Sequence, residues 1–144
     1  MTTRLEKFIA ESNAIEGIFT VRETELAAYE EFLNLTTLDV NAVVALVKVI
    51  APHAVLRSKV GLNVRVGLHV APLGGPDIER QLRLILAMQD SGVDPWHVHI
   101  DYETLHPFTD GNGRSGRAIW LWQTREWQLS FLHAFYYQTL AANH

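Results

Sequence analysis

The run His106-Pro107-Phe108-Thr109-Asp110-Gly111-Asn112-Gly113-Arg114-Ser115-Gly116-Arg117 places a base, an acid, an amide between two glycines and two arginines side by side. These are the groups needed to handle a charged phosphate. The imidazole of His106 has an unperturbed pKa of about 6.5, so it can take a proton from an incoming hydroxyl near neutral pH. Pro107 lacks an N–H and restricts the residue before it, so a helix should end at His106. Gly111 and Gly113 permit positive φ or close backbone approach, letting the amides around Asn112 turn inward as an anion nest. From Gly113 onward, RSGRAIWLWQTREW reads as a helix whose unpaired amides and positive dipole end favour anions. Arg114 and Arg117 are three apart, share a helix face and could fork onto one polyphosphate tail. Asp110 adds a hard oxygen ligand suited to the Mg²⁺ that accompanies a nucleoside triphosphate. The chemistry implied is nucleophilic displacement at phosphorus.

Two other spellings in this region point elsewhere and are rejected on context. Gly111-Asn112-Gly113-Arg114-Ser115-Gly116 spells G-x-G-x-x-G, but a dinucleotide fingerprint follows a strand and needs an acid on a second strand about 20 residues later. Here a proline loop precedes it. His97-Val98-His99-Ile100-Asp101 spells H-x-H-x-D, yet Asp94-Pro95 reads as the N-cap and first residue of a helix, on which His97 and His99 diverge by roughly 200°. They are read as structural histidines.

The N-terminus carries a second informative pattern. In TTRLEKFIAESNAIEG, residues Leu5, Phe8, Ile9 and Ile15 form an apolar helical stripe, and Gly17 is a natural helix stop. Ser12 and Glu16 fall inside that stripe. A buried, unpaired carboxylate is costly, so Glu16 should meet a cation in the folded chain, and the motif helix offers Arg114 and Arg117.

The remaining elements are mostly helical. Val40, Val43, Val44, Val47 and Ile50 recur at helical spacing after an Asp39 cap, with Pro52 closing the segment, and Leu26, Tyr29 and Leu33 repeat the pattern. Asp77 is expected to cap a helix carrying Ile78, Leu82, Ile85 and Leu86 that ends near Gly92, and Leu132, Phe135, Tyr136 and Leu140 suggest a last helix. The exception is Leu62 to Val70, where Leu62, Val64, Val66, Leu68 and Val70 alternate with Asn63, Arg65, Gly67 and His69 until Gly74-Gly75-Pro76. Period two means extended chain. The aromatics Trp120, Trp122, Trp127, Tyr136 and Tyr137 are read as core, and neither Trp96 nor His133 is assigned a role.

Composition narrows the class. A chain of 144 residues suits one domain, and the absence of cysteine excludes disulfide and thiol chemistry. A net charge of −4 and a pI of about 5.9 argue against a nucleic-acid-coating surface. No long apolar segment suggests a signal peptide or a membrane span, so a cytoplasmic protein without a membrane partner is expected.

HPFTDGNGRSGR resembles the signature of the Fic family, H-P-F-x-D/E-G-N-G-R-x-x-R, and His99-Ile100-Asp101-Tyr102-Glu103-Thr104-Leu105 is similar to the H-x-x-F-E-x-I that leads into it. The resemblance implies a single domain over 1–144, an all-α bundle with one short β-hairpin, that transfers AMP from ATP to a Ser, Thr or Tyr hydroxyl of a target protein. Carried over by position, His106 would be the general base, Asp110 the ligand of Mg²⁺ or Mn²⁺, and Phe108 the anchor of the loop in the core. Asn112 and the amides of Gly111 and Gly113 would hold the α- and β-phosphates, and Arg114 and Arg117 the β- and γ-phosphates. Ser12-Asn13-Ala14-Ile15-Glu16-Gly17 resembles the family's inhibitory pattern, S/T-x-x-x-E-G/N, in which the glutamate pairs with the second motif arginine. On that reading residues 1–17 form an inhibitory helix and Glu16 pairs with Arg117. The interval 62–75 would be the flap, with Val64, Arg65, Val66, Gly67, Leu68, His69 and Val70 docking the target's backbone. The partners implied are ATP and a hydroxyl-bearing protein, with self-association left open. The same fold would also suit another nucleotide, removal of AMP, or a non-catalytic nucleotide-sensing or toxin-like module.

Overall fold

Local capping decides where most of the helices begin. The computed structural model describes residues 3–127. In α1 (Arg4–Ile15) the Thr3 hydroxyl accepts the Glu6 amide at 3.1 Å, and Gly17, at φ 77°, turns the chain away. The Asn13 side chain then holds the turn by donating to the Thr20 carbonyl at 3.0 Å. Leu5, Phe8, Ile9, Ser12 and Asn13 are buried, whereas Ile15 is half-buried and Glu16 stands at the C-cap. The stripe therefore ends earlier than its periodicity suggests.

Helix α2 (Glu23–Leu33) packs on α3 (Val40–Ile50), whose Asp39 cap accepts the Ala42 amide at 2.8 Å. Helix α4 (Asp77–Ala87) starts one residue earlier than the expected cap would have it. Pro76 takes the N-cap position, and the Asp77 carboxylate binds the Arg80 and Gln81 side chains from the first turn, where the dipole favours an acid. A short 3-10 turn (Met88–Ser91) and Gly92 lead into α5 (Pro95–Leu105), capped by Asp94 with proline at the first helical position. Helix α6 (Asn112–Thr124) is central, contacting α1, α2, α3 and α5, and most of its residues from Asn112 to Leu121 are buried. Its close approach to α5 depends on Gly116, because a β-carbon there would collide with the Glu103 carboxylate and touch the Tyr102 ring. Arg4 lies over the Trp127 ring at 4.4 Å, tying α1 to the chain beyond α6.

Among the described residues the fold is thus all-α with one antiparallel hairpin, β1 (Arg65–Val66) and β2 (His69–Val70). The alternation from Leu62 to Val70 does not make one strand. Gly67, at φ 59°, turns the chain after Val66, and the turn changes the phase: Val64 and Val66 are half-buried while Leu68 and Val70 are exposed. A second pairing lies outside the hairpin. Residues 55–57 run antiparallel to 107–109, with Leu56 opposite Phe108, the Thr109 amide on the Val55 carbonyl and the Arg57 amide on the Pro107 carbonyl. The helix expected from Leu132 to Leu140, with Tyr136, Tyr137 and His133, lies outside the described residues.

The two histidines of the H-x-H-x-D spelling separate as a helix requires. His97 is exposed and pairs with Asp101 at 3.3 Å, one turn on. His99 is buried, stacks on Trp96 with centroids 5.4 Å apart, and donates through Nδ1 to the Gly116 carbonyl at 3.2 Å. Burial pushes its pKa down from 6.5 to about 4. The folded state therefore prefers the neutral ring, and the unfolded chain binds the extra proton first as the pH falls. Stability should be complete above pH 6.5 and decline toward pH 4, by about 3 kcal/mol for this group. Denaturant titrations of the native protein and of His99→Gln at pH 7.5 and 4.5 check this: the native chain loses more stability than the variant.

Candidate active site

The chain reaches His106 in an unusual backbone state. His106 is the C-cap of α5 with φ 50° and ψ 63°, a left-handed conformation that costs free energy for any residue with a β-carbon. Pro107 follows and prevents the helix from continuing. The ring is set by its own helix: Nδ1 lies 2.6 Å from the Glu103 carbonyl. A carbonyl only accepts, so Nδ1 carries the proton and, in the neutral ring, Nε2 carries the lone pair. His106 lines a cavity of about 480 Å³ together with Glu16, Val66, Glu103, Asp110 and Gly113.

The loop after His106 is closed by Asn112. Its side-chain amide accepts the Phe108 amide at 2.9 Å and donates to the Phe108 carbonyl at 2.8 Å, and the Phe108 ring is buried in the core. The Asn112 side chain thus holds the loop at both backbone groups of Phe108. Gly111 takes φ 78°, and a β-carbon there would press on Ala51, so glycine is required twice over. The Gly111 amide donates to Asp110 Oδ1 at 2.7 Å. The amides of Asn112, Gly113 and Arg114 belong to the first turn of α6, where no acceptor exists within the helix, and all three residues line the cavity. The Gly111 amide is engaged by Asp110, and the amides of Asn112, Gly113 and Arg114 follow it along the cavity wall.

Asp110 faces the same space with over half of its side chain exposed. Burial works to raise its pKa, but the Gly111 amide, the His53 hydrogen bond at 2.6 Å and the charges of His53 and Arg114 together hold it below the usual carboxylate value. It is an ionised hard donor, and a divalent cation sharing phosphate oxygens with it fits this chemistry. Among the described residues no group of three or more His, Cys, Asp or Glu side chains gathers to hold a metal without such help.

The two arginines are held by different elements. Arg114 donates to the Ile50 carbonyl at 2.7 Å and faces Glu25 of α2 at 3.4 Å. Arg117, with no solvent exposure, donates from Nε to the Ser12 hydroxyl at 2.8 Å, and from Nη2 to the Ser12 carbonyl at 3.0 Å and Glu16 Oε1 at 2.9 Å. Glu16 itself is 41% exposed. The buried charge is thus Arg117 rather than Glu16, which reaches in from the C-cap of α1 to meet it. Gly17 lets the chain turn at once beyond it. Both guanidiniums lie near Tyr29, whose phenol is pushed up to about 12 by burial, partly offset by their charges.

Of the hairpin, Val64, Arg65 and Val66 line the cavity, while Leu68 and Val70 do not. His69 reaches from β2 to within 2.8 Å of the Thr104 carbonyl in the last turn of α5. Several residues had no signal in sequence: His53 beside Asp110, Arg57 beneath the hairpin, and Ser115, whose hydroxyl joins Tyr102 to the Gly111 carbonyl. Glu25 had one that went unread, since Glu25, Tyr29 and Leu33 share a face at four-residue spacing and all three are buried.

A model of the Fic/DOC family matches residues 63–124, a span that runs from the hairpin through α4 and α5 to the end of α6. This stretch of the chain, which holds His106 and the residues through Arg117, is similar to that family. Comparison with curated proteins and with solved structures gives no significant match.

Proposed function

We propose that this chain transfers AMP from ATP to a hydroxyl of a protein. The observation that carries the reading is the convergence of His106 and the first-turn amides of α6 on one cavity, with Asp110 on its wall. The target's hydroxyl loses its proton to His106 Nε2, and its oxygen bonds to the α-phosphorus. The bond from that phosphorus to the bridging oxygen breaks and pyrophosphate leaves. The amides of Asn112, Gly113 and Arg114 stabilise charge on the phosphate chain, which is where most of the catalysis in phosphoryl chemistry arises. Asp110 would hold Mg²⁺ or Mn²⁺, which would add neutralisation of the phosphates.

The contact between Glu16 and Arg117 supports an autoinhibited resting state, because it engages a guanidinium that the resemblance assigns to the γ-phosphate. Glu16 also lines the cavity with His106, which supports removal of AMP from a modified protein as a second reading, with Glu16 orienting water. Incubating Glu16→Gly protein and an acceptor lysate with ATP labelled at either the α- or the γ-phosphate tests the proposal. Relative to the same lysate without the variant, added label should enter protein from the α position alone. Added label from the γ position, or tight binding with no added transfer, overturns it.

A further inference from the structure

Arg57 is a fully buried cation whose partners among the described residues are all backbone carbonyls. Nε donates to the His106 carbonyl at 2.6 Å and Nη2 to the Leu105 carbonyl at 2.8 Å. Its backbone amide donates to the next carbonyl, that of Pro107, at 2.9 Å. Three consecutive carbonyls around the left-handed turn at His106 are thus held by one residue. The other guanidinium nitrogen, Nη1, donates to Leu62 at 3.0 Å and Pro72 at 2.8 Å, the two chain segments that enter and leave the hairpin. The Gly75 amide closes the base by donating to the Arg57 carbonyl at 2.9 Å.

We propose that Arg57 is a positioning residue that fixes the hairpin relative to the His106 imidazole, so that an acceptor lying along the hairpin meets the base at a set distance. The inference rests on the transfer reaction proposed above. The physical case is geometric. A planar guanidinium offers five donors in a fixed fork, so carbonyls bound to its two ends keep a fixed separation. One end holds the turn that aims His106, and the other holds both legs of the hairpin that lines the same cavity. The last carbonyls of α5 sit at the negative end of its dipole, which compensates the buried charge without a carboxylate. Burial lowers the guanidinium's pKa from its ordinary value, and the carbonyls are what make a cation tolerable there. A lysine retains the charge but concentrates its donors on one nitrogen, so it cannot hold both ends in register.

The test compares Arg57→Lys and Arg57→Gln in the Glu16→Gly background. Thermal unfolding and calorimetric binding of a non-hydrolysable ATP analogue serve as controls, α-label transfer to protein as the functional readout, and NMR as a readout independent of turnover. Folded variants should bind the analogue within about twofold of the parent yet transfer about 100-fold less, since a displacement of about 1 Å at a reacting centre costs that much. Amide exchange at residues 65–70 should quicken, and the ¹⁵N shifts of the His106 ring should lose the single tautomer set by Glu103. Parental transfer rates in both variants, or unchanged hairpin exchange and His106 shifts, overturn the role of Arg57. A parent that transfers no label sinks the reaction instead, and the NMR comparison still decides whether Arg57 couples the hairpin to His106. Should Arg57→Gln fail to fold, Arg57→Lys carries the whole comparison.

Discussion

His106→Ala in the Glu16→Gly background lowers AMP transfer by about 10²- to 10⁴-fold, the range a general base contributes, while the affinity for ATP changes little. The split follows from where the groups stand. In the proposed reaction His106 is the proton acceptor and stands at the end of α5, whereas the amides proposed to meet the phosphates belong to the first turn of α6 and the loop is held by Asn112 and the buried Phe108. Truncating the ring leaves those supports in place. It also leaves the strained turn at φ 50° under the hold of Arg57. Initial rates of α-label transfer, paired with calorimetry on a non-hydrolysable analogue, measure both halves. Transfer by the alanine variant at the parental rate means that another group takes the proton.

Glu16→Gly acts in the opposite direction and raises transfer at least about tenfold. Arg117 is buried and Glu16 gives it a carboxylate oxygen at 2.9 Å, so removing Glu16 takes one negative partner from that guanidinium. A triphosphate can then supply negative charge in its place. The same logic predicts a cost without nucleotide. Breaking a wholly buried pair costs about 3 to 5 kcal/mol, but Glu16 is 41% exposed, so about 1 kcal/mol is expected. The variant should therefore melt lower than the native chain when empty and gain more from ATP, by mass action on the newly available site. Equal transfer rates for the two proteins remove Glu16 as a brake.

What was legible in sequence is what contiguity or helical periodicity encodes. The motif from His106 to Arg117 could be read as a helix end, a glycine loop and a helix start because Pro107 and Gly111 set the backbone locally, although Gly113 lies inside the first turn of α6 rather than in the loop. Asp39 and Asp94 read as caps and act as caps, while Asp77 falls one position short because the proline before it takes the N-cap position. The contact between Glu16 and Arg117, 101 positions apart, was reachable from two signals: a carboxylate beside an apolar stripe asks for a cation from the motif helix, and the resemblance of residues 12–17 to the inhibitory pattern selects Arg117. Arg57 was not reachable. Its acceptors are backbone carbonyls, which every residue type carries, so no spacing announces them. The divergence of Arg114 and Arg117 was also hidden, since sharing a helix face does not say which neighbours that face will meet. The hairpin was legible as extended chain, but its turn at Gly67 was not, because alternation continues in the letters through a change of phase in space.

A crystal structure of Glu16→Gly with a non-hydrolysable ATP analogue and Mn²⁺ decides whether base and phosphate meet. The phosphates should lie over the amides of Asn112, Gly113 and Arg114, the metal at Asp110, and His106 Nε2 should face the α-phosphorus with room for one acceptor oxygen, within about 3 Å of that oxygen. A triphosphate bound elsewhere, or a ring turned away from the α-phosphorus, contradicts this placement.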